Sequence, residues 1–100
     1  MAVGDLRMSV VSAMALVQGC RDGAALAKVR RLLQHLTVVP IDTTVSDTAV
    51  PLMNTFYLSH GLLIADALIA ATALEHSFTL YTRNVRDFQM IPGLIVQQPY

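Results

Sequence analysis

The chain has 100 residues, of which 54% are apolar and 14% are charged, with four prolines and five glycines. This composition excludes a disordered or fibrous chain, because enough apolar side chains are present to offset the entropy lost on folding. The length predicts one domain spanning residues 1–100. Seven basic and seven acidic residues cancel, so no broad positive surface serves unspecific nucleic-acid binding, and any nucleic-acid site is local.

Cysteine usage and hydropathy indicate a cytoplasmic protein with no membrane segment. Cys20 is the only cysteine, which excludes an internal disulfide and a cysteine zinc module. The apolar stretch Leu62–Leu74 has 13 residues, fewer than the roughly 20 needed to cross a bilayer. The N-terminal apolar run imitates an export signal, but Asp5 and Gln18 break the pattern. A chain with so few charges covers its surface poorly, so we expect a homo-oligomer, most simply a dimer.

Apolar periodicity predicts the element order β-α-α-β-α-α-β-β. The first strand is predicted at Met8–Val11, with Ser12 as the N-cap of the helix that follows. Another helix is predicted to begin at a capping box formed by Thr44 and Asp47. The predicted strands lie at residues 8–11, 37–41, 78–82 and 94–96, and the predicted helices at 12–19, 24–36, 44–60 and 62–76.

The same order of elements predicts the fold class. Strands alternate with helices, and the strands carry continuous apolar runs rather than alternating polar residues. Parallel sheets covered by helices on both faces have this pattern. The sequence contains no internal repeat, no low-complexity tract and no long linker. It therefore predicts a single α/β domain with a mainly parallel sheet.

Asp66 is the carboxylate that most needs an explanation. Its neighbours at helical spacing are all apolar: Leu63, Ile69, Ala70 and Ala73. An unpaired carboxylate costs several kcal/mol to bury. Three compensations are open: Asp66 is the N-cap of a helix that begins after it, it forms a salt bridge to an arginine, or it belongs to a metal or substrate site.

A second carboxylate, Asp87, follows the strand predicted at 78–82, in a polar segment that also holds Thr82 and Asn84. Ligands of open α/β sheets bind beyond the carboxyl ends of the strands. The alternative is that Asn84 is a turn residue and Asp87 caps a short helical turn. If Asp66 and Asp87 converge, they repel each other, and Mg²⁺ is the simplest compensator, because one or two carboxylates usually hold it together with substrate phosphate.

A basic stripe is predicted on the second helix. Lys28, Arg31 and His35 fall at positions i, i+3 and i+7, opposite the leucine face. A solvated face explains the stripe, and contact with phosphate or with an acidic partner is the alternative. His60 and His76, like His35, lack the spacing and the cysteine partners of a zinc site.

Three segments of the sequence share a family pattern. Leu62–Leu74 is an apolar helix that carries one aspartate, Leu80–Phe88 contains the string T-R-N-V-R-D-F, and Ser9–Gly19 is an apolar strand with a helix start. These segments resemble, respectively, the Asp-bearing helix, the T-x-N-x-x-D-F segment and the glutamate-bearing segment of the PIN-domain ribonucleases. Within that family they are most similar to the VapC-type toxins of prokaryotic toxin–antitoxin pairs. The resemblance spans nearly the whole chain.

The resemblance implies a fold, an activity and partners. The fold is a PIN-like three-layer sandwich, and the activity is that of an endoribonuclease that binds Mg²⁺ or Mn²⁺ at carboxylates gathered at the carboxyl end of a parallel sheet. By resemblance, Asp66 and Asp87 are the metal-binding and catalytic carboxylates, and Thr82 and Asn84 support the catalytic site through hydrogen bonds. The implied partners are an RNA substrate and a VapB-type antitoxin.

The chain departs from the family pattern at two places. Ala15 stands where the family has its glutamate, and as the third residue after Ser12 it also lacks the reciprocal half of a capping box. The family's first strand, which lies in the middle of the sheet and carries its first metal-binding aspartate, has no counterpart in this sequence, so the expected domain is partial at its N-terminus. These departures support an alternative function, that of a catalytically impaired binding or oligomerisation module.

Overall fold

The computed structural model describes residues 6–99 and contains four helices, four short strands and one 3₁₀ turn within that range. The predicted element order is confirmed. The elements are β1 (Arg7–Ser9), α1 (Val10–Gln18), α2 (Gly23–Gln34), β2 (Thr37–Val39), α3 (Thr43–His60), α4 (Ile64–Glu75), β3 (Leu80–Tyr81), the 3₁₀ turn Val85–Asp87, and β4 (Val96–Gln97). The chain divides into two compact units, Met1–Pro40 and Ile41–Tyr100.

In the first unit, β1 pairs in parallel with β2, with Arg7 opposite Thr37 and Ser9 opposite Val39. The prediction that the strand continues to Val11 and that Ser12 caps the helix is wrong. Ser9 is the N-cap, because its buried hydroxyl accepts a hydrogen bond from the backbone N–H of Val11 at 3.1 Å. Helix α1 therefore begins three residues earlier than a Ser12 cap implies.

Helix α2 begins one residue before the predicted start and ends two residues before the predicted end. Asp22 is its N-cap and accepts a hydrogen bond from the backbone N–H of Ala25 at 2.8 Å. The three basic residues predicted to form a stripe, Lys28, Arg31 and His35, are all exposed. Their exposure agrees with the interpretation of a solvated face.

In the second unit, α3 packs against α4. The predicted capping box is wrong: the N-cap of α3 is Asp42, whose Oδ1 accepts a hydrogen bond from the backbone N–H of Val45 at 2.9 Å. The hydroxyl of Thr44 donates to the same oxygen at 2.7 Å instead of capping the helix itself. The other Asp42 oxygen, Oδ2, lies 3.0 Å from Nε2 of His76, the C-cap residue of α4. This contact ties the start of α3 to the end of α4.

The core of the second unit is built around small side chains of α4. Four alanines of α4 are buried, and Thr72 is buried with its hydroxyl donating to the carbonyl of Leu68 at 2.7 Å. Small side chains let two helix backbones approach closely, which raises the contact area per residue. The remaining buried apolar residues of this core are Val45, Ala49, Leu62, Leu80, Phe88 and Ile91.

The strands of the second unit also pair in parallel, with Leu80 opposite Val96 and Tyr81 opposite Gln97. Both strand pairs in the described part of the chain are thus parallel, and the α/β prediction is confirmed. Hydrogen bonding within residues 6–99 forms two two-stranded sheets rather than one continuous sheet. That the whole of residues 1–100 behaves as a single domain stays a prediction.

Candidate active site

Asp66 lies in the first turn of α4, as its third helical residue. The helix begins after Leu63, which makes no side-chain capping bond, so the alternative that Asp66 is itself the N-cap is wrong. No hydrogen bond or ion pair joins the Asp66 carboxylate to another residue of the described range, which also excludes the arginine salt bridge there. The positive end of the helix dipole offers the carboxylate partial compensation.

The segment after β3 forms a short, well-supported loop. The backbone N–H of Thr82 donates to the carbonyl of Gln97 at 3.0 Å, and the Thr82 hydroxyl accepts from the backbone N–H of Asn84 at 3.1 Å. The carbonyl of Asn84 then accepts from the backbone N–H of Asp87 at 3.0 Å, closing the 3₁₀ turn. Just beyond the turn, Phe88 is buried in the core. This support fixes the backbone of Asp87 while its side chain stays exposed.

The two aspartates interact electrostatically. The pKa of Asp66 is raised above its usual value of 3.8, first because the carboxyl is partly buried and second because the negative charge of Asp87 lies nearby. A neighbouring carboxylate raises a pKa only when the two charges are close enough to repel. Asp66, at the start of α4, and Asp87, in the loop after β3, are therefore near enough for their charges to interact.

The supporting residues take different positions. The Thr82 hydroxyl is used within the loop, where it orders the backbone that leads to Asp87. Asn84 is exposed, and its backbone rather than its side chain contributes to the loop. Ala15 is an exposed residue in the interior of α1, not the third residue of a helix capped by Ser12.

The partly buried carboxylate of Asp66 and the exposed carboxylate of Asp87 are oxygen ligands of the kind that Mg²⁺ and Mn²⁺ take. Within residues 6–99 no group of three or more His, Cys, Asp or Glu side chains is arranged to hold a metal ion. A pair is sufficient for Mg²⁺, which usually keeps several waters and is bound by one or two carboxylates together with substrate phosphate. The donor set of Asp66 and Asp87 thus fits such an ion.

Sequence patterns missed the contact between Asp42 and His76. The two residues are separated by 34 positions, and no local motif links them. Aspartate is a common N-cap residue, so Asp42, just before the threonines at 43 and 44, was a sequence signal for the true start of α3.

A cavity of about 270 Å³ in the second unit lies at the amino end of β3, beside Ser77 and Thr79. None of the four predicted site residues lines it.

The profile of the PIN domain family matches residues 2–94, which include most of both units. The chain belongs to the PIN domain family. Among relatives of this PIN chain, Ribonuclease VapC10 of Mycobacterium tuberculosis is 37% identical over 92 residues, which cover 91% of this chain and 68% of the relative. Ribonuclease VapC1 of Rickettsia felis is 58% identical over a shorter stretch of 31 residues, or 31% of this chain and 23% of the relative.

Solved structures give the same family. A toxin–antitoxin complex from Klebsiella pneumoniae contains a chain that is 30% identical to this PIN chain, with a TM-score of 0.73 over 92% of this chain and 72% of that one. VapBC-1 from nontypeable Haemophilus influenzae has a TM-score of 0.78 at 24% identity, covering 93% of this chain and 73% of that one, and so supports the fold. The resemblance to VapC-type PIN proteins is confirmed. No helix in the described range is long and apolar enough to span a membrane.

Proposed function

We propose that this VapC-like PIN protein is a metal-dependent endoribonuclease that acts in the cytoplasm as the toxin of a toxin–antitoxin pair. The observation that supports the activity is the electrostatic repulsion between Asp66 and Asp87, neither of which has an ion-paired cation among the described residues. Sites of this kind are destabilised on their own and become favourable when a divalent cation is bound. The 37% identity to a protein named as a ribonuclease supports the reaction class.

In this proposal Asp66 and Asp87 hold one Mg²⁺ or Mn²⁺ ion. When bound, such an ion lowers the pKa of a water ligand and neutralises charge that develops on phosphate oxygens. Asp66 is held by the first turn of α4, and Asp87 by the hydrogen-bonded loop after β3, so both carboxylates are fixed by backbone structure. Thr82 acts as a supporting residue through its bond to the backbone of Asn84, and the exposed Asn84 amide is available to donate to a substrate oxygen.

Cleavage of a labelled single-stranded RNA tests the activity. We expect cleavage by the parent chain in the presence of Mg²⁺ or Mn²⁺ and none after addition of EDTA. Asp87→Asn is expected to lower the rate by at least about 100-fold, because loss of a carboxylate weakens the metal site. Asp47→Asn is the matched control, since Asp47 is an exposed carboxylate of α3 and its loss should leave the rate unchanged. Equal rates for Asp87→Asn and the parent would contradict the proposed site.

The toxin assignment includes a VapB-type antitoxin as protein partner. Chains of similar structure are found in a toxin–antitoxin complex from Klebsiella pneumoniae and in VapBC-1 from nontypeable Haemophilus influenzae. Their shared fold supports a corresponding partner for this chain.

We also infer that the chain forms a homodimer. Exposed large apolar residues lie around the turn between α3 and α4: Tyr57, Leu58, Leu63 and Ile64. Leu58 is 93% exposed, and Ile64 is 70% exposed. An apolar surface of this kind is covered in most stable proteins by a second subunit or another partner.

Sedimentation equilibrium of Leu58→Asp tests the homodimer. A charge at the centre of an apolar interface is unfavourable, so we expect the parent to be dimeric and this variant to be monomeric, with unchanged far-UV circular dichroism. Asn54→Asp adds the same charge to the exposed surface of α3. This control variant should sediment with the mass of a dimer, as the parent does. A monomeric parent, or a variant that still forms the dimer, would exclude this interface.

The second candidate function is that of a catalytically impaired PIN module, and Ala15 is the observation that favours it. This position corresponds by resemblance to the family's metal-site glutamate, and alanine has no oxygen to donate. In that case the folded chain would bind a partner or a second copy without cleaving RNA. Cleavage that depends on the metal and on Asp87 would exclude this candidate.

A further inference from the structure

The net charge of the chain is zero, but its two units carry opposite net charges. Residues 41–100 contain two arginines and five carboxylates, a formal net charge of −3, whereas residues 1–40 contain five basic and two acidic residues, a net charge of +3. The proposed site lies in the acidic unit. An RNA strand that approaches Asp66 and Asp87 therefore meets a local excess of negative charge in addition to the two carboxylates.

Both cationic side chains of the acidic unit lie in the loop that carries the site. Arg83 and Arg86 are the only lysine or arginine residues between positions 41 and 100, and in the sequence Arg83 immediately precedes Asn84 and Arg86 immediately precedes Asp87. Both arginines are exposed. The lysine and arginine charges of residues 41–100 thus both lie within four positions of Asp87 in the sequence.

Arg86 is held by a rigid backbone. It is the middle residue of the 3₁₀ turn that precedes Asp87, and the carbonyl of Val85 accepts hydrogen bonds from the backbone N–H groups of Phe88 and Gln89, each at 3.0 Å. Phe88 is 4% exposed and anchors the turn in the core. The backbone of Arg86 is therefore fixed by the turn. Arg86 immediately precedes Asp87, one of the two carboxylates of the proposed site.

The positive charge of Arg86 is not paired with a negative charge within the described part of the protein. No hydrogen bond or ion pair joins its guanidinium to another residue in the range 6–99. A surface arginine that only balanced the carboxylates would be expected to pair with one of them at salt-bridge distance.

We propose that Arg86 is a substrate-positioning residue that binds a backbone phosphate of the RNA next to the phosphodiester at the Asp66–Asp87 site. This inference rests on the proposed ribonuclease function and adds a residue to it. A guanidinium donates two parallel hydrogen bonds to phosphate oxygens and keeps its charge at every relevant pH. Held by the turn, it fixes the register of the strand on the site without reading the bases.

RNA binding as a function of salt concentration tests the role of Arg86. The probe is a fluorescein-labelled single-stranded RNA, and binding is followed by anisotropy in the Asp66→Asn background so that the RNA is not cleaved. Adding Arg86→Ala is expected to raise the Kd about tenfold. It should also reduce the slope of log Kd against log salt by about 0.7, the value for one phosphate contact on a single strand. Arg86→Lys keeps the charge and should keep most of the slope.

Asn54→Asp is the control for net charge. Like Arg86→Ala, it lowers the net charge of the chain by one, but at an exposed position of α3. It should leave the slope of log Kd against log salt unaltered. A purely structural role of Arg86 would change the melting temperature but not the salt slope. RNA binding with an unaltered slope in Arg86→Ala overturns the role of this arginine and leaves the proposed function intact. No RNA binding by the Asp66→Asn chain or by the parent overturns the proposed function and, with it, this inference.

Discussion

Replacing Asp66 with asparagine is expected to raise the melting temperature of the metal-free chain by a few degrees at neutral pH and to abolish binding of Mg²⁺ measured by calorimetry. The pKa of Asp66 is raised in the folded state by burial and by Asp87, so the charged carboxylate destabilises the fold at neutral pH. Asparagine has nearly the same shape without the charge.

The pH dependence of this effect has a defined sign. A carboxyl whose folded pKa is raised favours folding most when it is protonated, and stability is lost as the pH rises from the ordinary value of 3.8 through the higher folded value. The advantage of Asp66→Asn should therefore be complete at neutral pH and disappear in acid below 3.8. Asp47→Asn, which removes an exposed carboxylate of α3, should show no comparable gain.

Added cation should reverse the order of stability. A ligand that binds only the folded state adds about 2.7 kcal/mol at a concentration 100 times its Kd, so saturating Mg²⁺ should stabilise the parent and leave Asp66→Asn unchanged. A folded Asp66→Asn chain that melts below the metal-free parent at neutral pH would show that the carboxylate is already satisfied in the fold. That result would contradict the interpretation of Asp66 as a ligand.

Replacing Asp42 with alanine is expected to have the opposite effect and to lower the melting temperature at neutral pH by several degrees. Asp42 accepts hydrogen bonds from the backbone of Val45 and from the Thr44 hydroxyl, and it contacts His76 at 3.0 Å. These interactions hold the pKa of Asp42 below its usual value, with the backbone bond from Val45 as the largest cause. Alanine removes the cap and the link between α3 and α4 together.

Thermal melts across the acid range check this second prediction. A carboxyl with a lowered folded pKa contributes stability above its ordinary value of 3.8 and loses it as the pH falls through the lower folded value. The parent and Asp42→Ala should therefore converge in strong acid. Asp42→Asn keeps a residue that caps helices well but removes the negative charge that faces His76, so its melting temperature should lie between the two. A melting temperature of Asp42→Ala equal to that of the parent at neutral pH would refute the capping role.

The sequence predicted correctly that Asp66 lies in an apolar helix and Asp87 in a polar segment after a strand, and physical reasons explain where it failed on the helix starts. An aspartate within the apolar run Leu62–Leu74 and a polar segment after a strand are local signals, and both survive in the structure. The N-caps of α1 and α3 were predicted wrongly because each of these helix starts has two residues able to cap it. Ser9 caps α1 in place of Ser12, and Asp42 caps α3 in place of Thr44. The contact of Asp42 with His76, which no local pattern encodes, also favours Asp42 as the cap.

The electrostatic environment of the site was the other part that the sequence predicted incompletely. Two converging carboxylates follow from topology, because the carboxyl end of a strand and the start of a neighbouring helix meet at one edge of an α/β unit. The separation of charge into a basic and an acidic unit does not follow from composition, since the total is zero. It becomes visible only when the boundary at Pro40 is known.

The alanines of α4 limit which substitutions this helix can accept. Alanine has no side-chain rotamers, so Ala67, Ala70 and Ala71 cannot adjust their shape when a neighbour is substituted. A larger residue at any of them displaces the helix that carries Asp66 as a whole. We therefore expect substitutions within α4 to be tolerated best at its exposed positions, such as Ala65 and Glu75, which can change while the carboxylate of Asp66 keeps its position.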